Sequence, residues 1–248
     1  MSKQITSSVV GPWSPIQTQI NRYFPPHTHP YRILERAVLA QVTPQTAVLD
    51  IGCGRTAPNL SLLKGKAGTL YGIDLVDFRN DDPDLHLQNQ NVESMPAIAS
   101  NSIDLAYSRS VMEHVQDTEA ALRELHRVLR PDGRYIFLTP NFYDYGSLIS
   151  YLTPNRLHPM IVRMTEGRDE EDTFPAYYNA NTKRRIRQLA AATGFEVERL
   201  DYMGQYPNYL MFNRVAFWLG SMYELAISNI APLHFLRGWL FCTLHRTG

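Results

Sequence analysis

Cysteine is scarce in this chain. Cys53 and Cys242 are the only two among 248 residues, too few for the disulfide framework of a small secreted domain. An excess of one charge is missing as well: Lys+Arg and Asp+Glu both number 24, giving a formal net charge of zero. A protein that tracks a nucleic-acid backbone ordinarily carries surplus positive charge, so nucleic acid is not an expected partner. No run approaches the ~18 uncharged apolar residues of a transmembrane helix, because the most apolar tract, Tyr209 to Leu244, is broken by Arg214, Glu224 and Arg237. Met1 to Val10 holds one lysine and no apolar centre, so no signal peptide is read there and a cytoplasmic location is expected. Low-complexity tracts and internal repeats are also lacking.

What is present is a hydrophobic share of 44% against 19% charged residues, enough to bury a real core. The length suits one α/β domain with additions. The spacing of apolar residues predicts a helix from Ile33 to Val42, stopped by Thr43-Pro44. Short apolar runs bounded by turn residues predict strands at 47–52, 70–74, 85–87, 102–107, 135–138 and 195–200. Between them, Pro58 suits the first turn of a helix, Asp117 or Thr118 can cap a second, and Pro131-Asp132-Gly133 forces a turn. Thr182 can cap a further helix that Gly194 closes in left-handed conformation. Strands alternating with helices predict a doubly wound, mostly parallel sheet of six to seven strands with helices on both faces.

The expected organisation is an irregular segment over 1–30, a ligand-binding core over 31–140, an aromatic-rich insertion over 141–181, the rest of the core over 182–205, and an apolar extension over 206–248. The extension reads as helical, with Pro232 splitting it, and Tyr209 to Phe212 fits strand or helix equally. It holds too many apolar residues for one surface helix. Packing on its own sheet, a homodimer and a peripheral membrane contact all remain open.

The sharpest motif is Val48-Leu49-Asp50-Ile51-Gly52-Cys53-Gly54. Gly52 and Gly54 remove side chains at the carboxyl end of a strand, where an open α/β sheet binds its ligand. An acid two residues before the first glycine favours a cationic group over a pyrophosphate. Asp74, at the tip of the next strand, is placed to accept hydrogen bonds from a ribose diol. Gly52-Cys53-Gly54-Arg55-Thr56-Ala57 also matches the G-x-G-x-x-A dinucleotide fingerprint, against which Asp50 argues by repulsion and Pro58 by removing a donor. A plain helix–sheet packing turn with no ligand is the third reading.

VLDIGCG, GIDL (72–75), NVESMP (91–96), NSIDLAYSRSVMEHV (101–115) and LHRVLRPDGRYIFLTPN (125–141) occur in order. Over roughly residues 31 to 200 the set resembles the class I S-adenosylmethionine-dependent methyltransferases, with their Rossmann-like sheet. The resemblance implies that Asp50, Gly52 and Gly54, with Cys53 in the same loop, line the methionine moiety of S-adenosylmethionine. Asp74, followed by Leu75, would hold the ribose. Asn91, Val92 and Glu93 would flank the adenine, and Ser108 and Arg109 would sit beside the methionine part. Arg55-Thr56-Ala57-Pro58 replaces the usual glycine-rich ending, which leaves the start of the following helix open.

Methyl transfer needs donor and acceptor held in line and water excluded, with a general base where the acceptor is a hydroxyl. His114 is the candidate base, with packing as its other reading. Asn141 and Tyr143 beyond the fifth strand, and Tyr177 and Tyr178 in the insertion, are candidates for binding a small organic, glycan or lipid-linked acceptor. Cys53 reads as a packing residue. Glu113-His114 and His27-Thr28-His29 do not make a metal ligand set, and the histidines of the latter read as solvated. Asp169-Glu170-Glu171-Asp172 and Lys183-Arg184-Arg185 read as mutually screening surface charge. A nicotinamide-dependent oxidoreductase and a non-catalytic methyltransferase-like binding domain are the alternatives.

Overall fold

The structure is a computed structural model that describes residues 15–152 and 174–247. Its centre is strand β1 (Ala47–Ile51), buried along its whole length, as a strand covered on both faces must be. Around it lie β2 (Thr69–Asp74), β3 (Leu85–Asn89), β4 (Ile103–Arg109), β5 (Leu129–Pro140), β6 (Phe195–Met203) and β7 (Trp239–Arg246). The seven-stranded sheet has the order β3-β2-β1-β4-β5-β7-β6, with β7 antiparallel to both β5 and β6. The chain winds outward from β1 to β3, then returns to place β4 on the other side. The carboxyl ends of β1 and β4 therefore flank a topological switch point, where such sheets leave a crevice.

Alternation along each strand splits the core in two. Helices α2 (Pro30–Leu39) and α3 (Pro58–Ser61) cover one face, where Leu34, Val38 and Leu60 pack on Val48, Leu105, Tyr107 and Ile136. Helices α4 (Thr118–Val128) and α6 (Lys183–Ala192) cover the other, with Leu122, Leu125, Ile186 and Leu189 on Leu49, Ala106 and Phe137. Each such leucine contributes about 1.5–3 kcal/mol by leaving water. The caps are those the sequence suggests: Asp117 accepts from Ala120 N at 2.9 Å, Thr182 Oγ1 from Arg185 N at 3.2 Å, and Gly194 has φ +80°. Two further helices, α1 (Pro15–Tyr23) and α7 (Arg214–Asn229), pack together through Ile16, Ile20 and Phe217, and α5 (Tyr145–Leu152) follows β5.

The structure departs from the periodicity reading at four places. Residues Pro15–Tyr23 are helical rather than irregular, because Ile16 and Ile20 share a face that Phe217 covers. The helix after Pro58 is a single turn. Strand β5 starts at Leu129, and the Pro131-Asp132-Gly133 turn survives as a kink within it: Asp132 has φ +66°, and the register against β4 shifts between Ile103 and Leu105. The C-terminal extension is helical over Arg214–Asn229, but Trp239–Arg246 is the seventh strand. An apolar run buried on both sides has no period to betray it. The acidic block at 169–172 lies outside the described residues. Lys183, opposite it in the charge reading, lies over the Tyr202 ring at 4.2 Å. Among the described residues no helix is long and apolar enough to cross a membrane.

Candidate active site

The loop leaving β1 is bent by backbone conformations only glycine adopts without strain. Gly52 has φ +71°, and a Cβ there would meet Val111 Cγ2 at 2.4 Å. Gly54 has φ +76°, and a Cβ there would meet nothing within 4 Å, so this glycine borders open space. Ala57 also takes a left-handed turn, at φ +45°, and Pro58 then opens α3 at its first position. That is how the chain starts the helix without the glycine-rich ending. Gly52 N and Cys53 N donate to Ile73 O at 2.9 and 3.2 Å. Gly54 N donates to Asp74 Oδ2 at 2.7 Å, while Asp74 Oδ1 accepts from Leu75 N at 2.7 Å. Cys53 packs in the core against the helices, and burial raises its thiol pKa, as expected of a packing residue.

Asp50 is buried beneath this loop with Oδ2 unpartnered. Its partner across the β1–β4 ladder is Tyr107, whose buried hydroxyl is also unpartnered. Burial pushes the Asp50 carboxyl up to about 7; the Tyr107 hydroxyl and the Arg109 guanidinium pull it back, and Asp74 pushes it further. Asp50 and Tyr107 have only each other here, short of a full hydrogen bond, and such buried polar groups are expensive unless a ligand completes them. A carboxylate and a hydroxyl beside an open glycine loop fit a ligand that carries an ammonium group. Arg109 lies over the Tyr31 ring at 4.6 Å. Both residues line a groove of about 510 Å³, its open mouth included, that runs between α2 and α3 over Tyr107, Leu34 and Leu63.

The remaining residues expected at the cofactor spread over different duties. Leu75 is exposed and Val92 buried. Asn91 Oδ1 accepts from Glu93 N at 3.0 Å, closing a turn. Glu93 Oε1 accepts from Gln116 N and Asp117 N at 3.1 and 3.0 Å, which ties the loop after β3 to the start of α4. Ser108 points its side chain to the other face of the sheet, where its Oγ lies 2.6 Å from Tyr135 Oη. Only its backbone belongs to the crevice side.

His114 sits in a short turn after β4, half-buried, with Nδ1 at 2.9 Å from Pro175 O. A carbonyl oxygen only accepts, so the neutral ring carries its proton on Nδ1 and leaves Nε2 as the acceptor. Tyr177 N and Tyr178 N donate to Glu113 O at 2.7 and 3.2 Å. The buried Glu113 accepts from Thr139 Oγ1 at 3.0 Å, and Asn181 Nδ2 donates to that Oγ1 at 2.8 Å. The returning insertion is thus clamped to the end of β4. Tyr178, Phe142, Tyr143 and Phe235 form a chain of edge-on rings with centroids 5.9 to 6.2 Å apart. Tyr143 and Tyr177 are exposed.

Asn141 is different. It is fully buried, and its Nδ2 donates to Phe235 O at 2.6 Å and Arg237 O at 2.8 Å, while Oδ1 accepts from Tyr143 N. With those bonds made it works as a clamp on the C-terminal segment, which corrects its reading as an acceptor-binding residue. His29 is likewise not simply solvated: its Nδ1 accepts from Tyr31 N at 3.3 Å, capping α2. Tyr31, Tyr107 and the Glu113–Thr139–Asn181 chain escaped the sequence reading. Tyr107 alone had a local signal, since it lies near the carboxyl end of a strand that flanks β1. Among the described residues no group of three or more metal-ligating side chains is assembled.

The methyltransferase-domain family matches residues 49–137, the stretch from β1 into β5. Residues 49–137 thus carry a methyltransferase domain, in keeping with the resemblance to the class I S-adenosylmethionine-dependent enzymes. It is 23% identical over 211 residues to 24-methylenesterol C-methyltransferase 2 of Arabidopsis thaliana, covering 78% of this chain and 55% of that protein. It is 30% identical over 104 residues to a ubiquinone biosynthesis O-methyltransferase of Neisseria meningitidis, covering 38% of this chain and 44% of the relative. The chain thus spans about half the length of these curated relatives. A crystal structure of an S-adenosylmethionine-dependent methyltransferase from Mesorhizobium loti matches with a TM-score of 0.53 at 18% identity, over 87% of this chain and 97% of that one, a likeness of fold.

Proposed function

We propose that the domain transfers a methyl group to an oxygen of a small organic, glycan or lipid-linked acceptor. The observation that carries the reading is the buried, unpartnered pair of Asp50 Oδ2 and Tyr107 Oη beside the open Gly54 turn and Asp74. S-adenosylmethionine supplies a methyl group made electrophilic by its sulfonium. Asp50 attracts the cationic methionine end and Gly54 leaves room for close approach. Asp74 Oδ1 accepts from Leu75 N and Val76 N, while Oδ2 spends one lone pair on Gly54 N and keeps another for a ribose diol. Leu75 and Val92 offer apolar sides to the adenine, with Asn91 and Glu93 holding the turn between them. Arg109 stays beside the methionine end, stacked on Tyr31.

On the acceptor side, His114 Nε2 takes the proton of an attacking hydroxyl, with the Pro175 carbonyl holding the required tautomer. Tyr143, Tyr177 and Tyr178 wall the acceptor and limit water. Contact of residues 206–248 with a membrane or a second copy belongs to the same reading. The test is transfer of a labelled methyl group to candidate hydroxylated acceptors, with the product located by nuclear magnetic resonance. Label on oxygen supports the assignment; label on carbon or nitrogen overturns the oxygen part and leaves methyl transfer standing.

A further inference from the structure

Helix α7 is apolar on two opposite faces. Its inner face buries Phe217, Gly220, Ser221, Glu224 and Ile227. Its outer face carries Val215, Trp218, Leu219, Met222 and Tyr223, at exposures between 36% and 68%. These fall at i, i+3, i+4, i+7 and i+8, a continuous stripe where a solvated helix would carry charge. Phe212, 78% exposed, extends the stripe at one end and Ile230 at the other. The only acid of α7, Glu224, is buried.

Among the described residues, the exposed charge on the helices around the stripe has one sign. Helix α1, packed on α7, contains Arg22 and no acid, α5 has no charged residue, and α7 adds Arg214. The apolar surface also runs into the acceptor side of the cleft. Tyr223 meets Tyr145 at 5.7 Å, and Phe235, exposed beyond α7, meets Tyr143 at 6.2 Å.

We propose that the outer face of α7 docks the protein onto an anionic lipid bilayer. Leucine, methionine and aromatic side chains would enter the acyl boundary, with Arg22 and Arg214 meeting headgroup phosphates. The single sign of the exposed charge on these described helices and the tryptophan–tyrosine pair favour a lipid surface over a second copy of the chain. The proposal stands on exposure and charge; only its consequence, an acceptor presented from the bilayer, rests on the methyltransferase reading.

Flotation of the full chain with vesicles tests it. Binding is expected to vesicles of phosphatidylcholine with phosphatidylglycerol at low salt, and to be much weaker with phosphatidylcholine alone. The double variant Leu219→Glu/Met222→Glu alters exposed positions and should lose about tenfold or more of the binding. Arg214→Gln should lose about fivefold on the anionic vesicles only. A full chain that does not float with anionic vesicles, or a double variant that floats as well as the parent, overturns the proposal. So does a dimer in solution that the double variant turns into a monomer, which would make the stripe an interface between copies. Calorimetry with S-adenosylhomocysteine on the same samples separates the two ideas. Vesicle binding without cofactor binding would sink the methyltransferase reading alone.

Discussion

Asp74 Oδ2 accepts a hydrogen bond from Gly54 N at 2.7 Å, joining two residues 20 positions apart. The acid at the tip of β2 therefore shapes the glycine loop, besides the ribose-binding role proposed for it. Asp74→Ala removes a charged acceptor from both duties. It should weaken S-adenosylhomocysteine binding by about 1.5–3 kcal/mol, the range for hydrogen bonds to charged groups. Asp74→Asn, which keeps one oxygen, should fall between. Calorimetry checks both, and an unchanged affinity would remove Asp74 from the cofactor site.

Asp50 links binding to stability through pH. Its carboxyl is raised from 3.8 to about 7, so the folded protein keeps a proton that the unfolded chain has released above about pH 4. The folded state binds more protons in this window, so stability falls as pH rises from about 4 to 7 and stays lowered above it. At about 1.4 kcal/mol per pK unit the effect is bounded by about 4 kcal/mol. Glu224, raised to about 8 by its own burial and by Asp144, bends the curve the same way. Asp50→Asn should raise the melting temperature of the ligand-free protein at pH 8 and flatten its fall with pH. The same change should weaken cofactor binding, since the cationic end loses its partner. A melting temperature at pH 8 that drops in the variant contradicts this account of the buried acid.

His114 and Asn141 should separate cleanly. His114→Ala is expected to lower turnover about 10²–10⁴-fold while S-adenosylhomocysteine affinity stays within a few-fold. Asn141→Ala leaves the part-buried carbonyls of Phe235 and Arg237 without their donor, at about 1 kcal/mol for each lost hydrogen bond. It should therefore lower the melting temperature and leave the acceptor KM of the remaining folded protein nearly unchanged. Melting curves beside steady-state kinetics distinguish the two patterns.

Strands β1 to β6 were legible in the sequence as short runs between turn residues, although β5 begins at Leu129, ahead of the apolar run that marks it. Strand β7 was not. Trp239 to Leu244 is buried along its length, and only its antiparallel place between β5 and β6 reveals it as a strand. Helix α1 hid among prolines, since its two core residues find their partner, Phe217, in the distant α7. At the site, Asp50, Gly52, Gly54 and Asp74 were readable because one βαβ unit carries them all. The Asn141 clamp was unreadable, as its partner Arg237 lies 96 residues away.

The place of β7 has a consequence for truncation. A chain ending after Asn229 would leave β5 and β6 with unpaired edges at the centre of that half of the sheet, and expose the core residues Phe137, Leu138 and Leu200. Such a protein should lack a cooperative thermal transition by circular dichroism. A sharp transition near that of the parent would show that β7 is dispensable.

The central claim is that the crevice above β1, β2 and β4 binds S-adenosylmethionine through Asp50 and Asp74. Calorimetric titration of the full chain with S-adenosylhomocysteine, beside NAD and NADP, addresses it most directly. The account predicts one site for S-adenosylhomocysteine, weakened in Asp50→Asn and Asp74→Ala, and no heat from either dinucleotide. Binding of NAD or NADP without S-adenosylhomocysteine would contradict it.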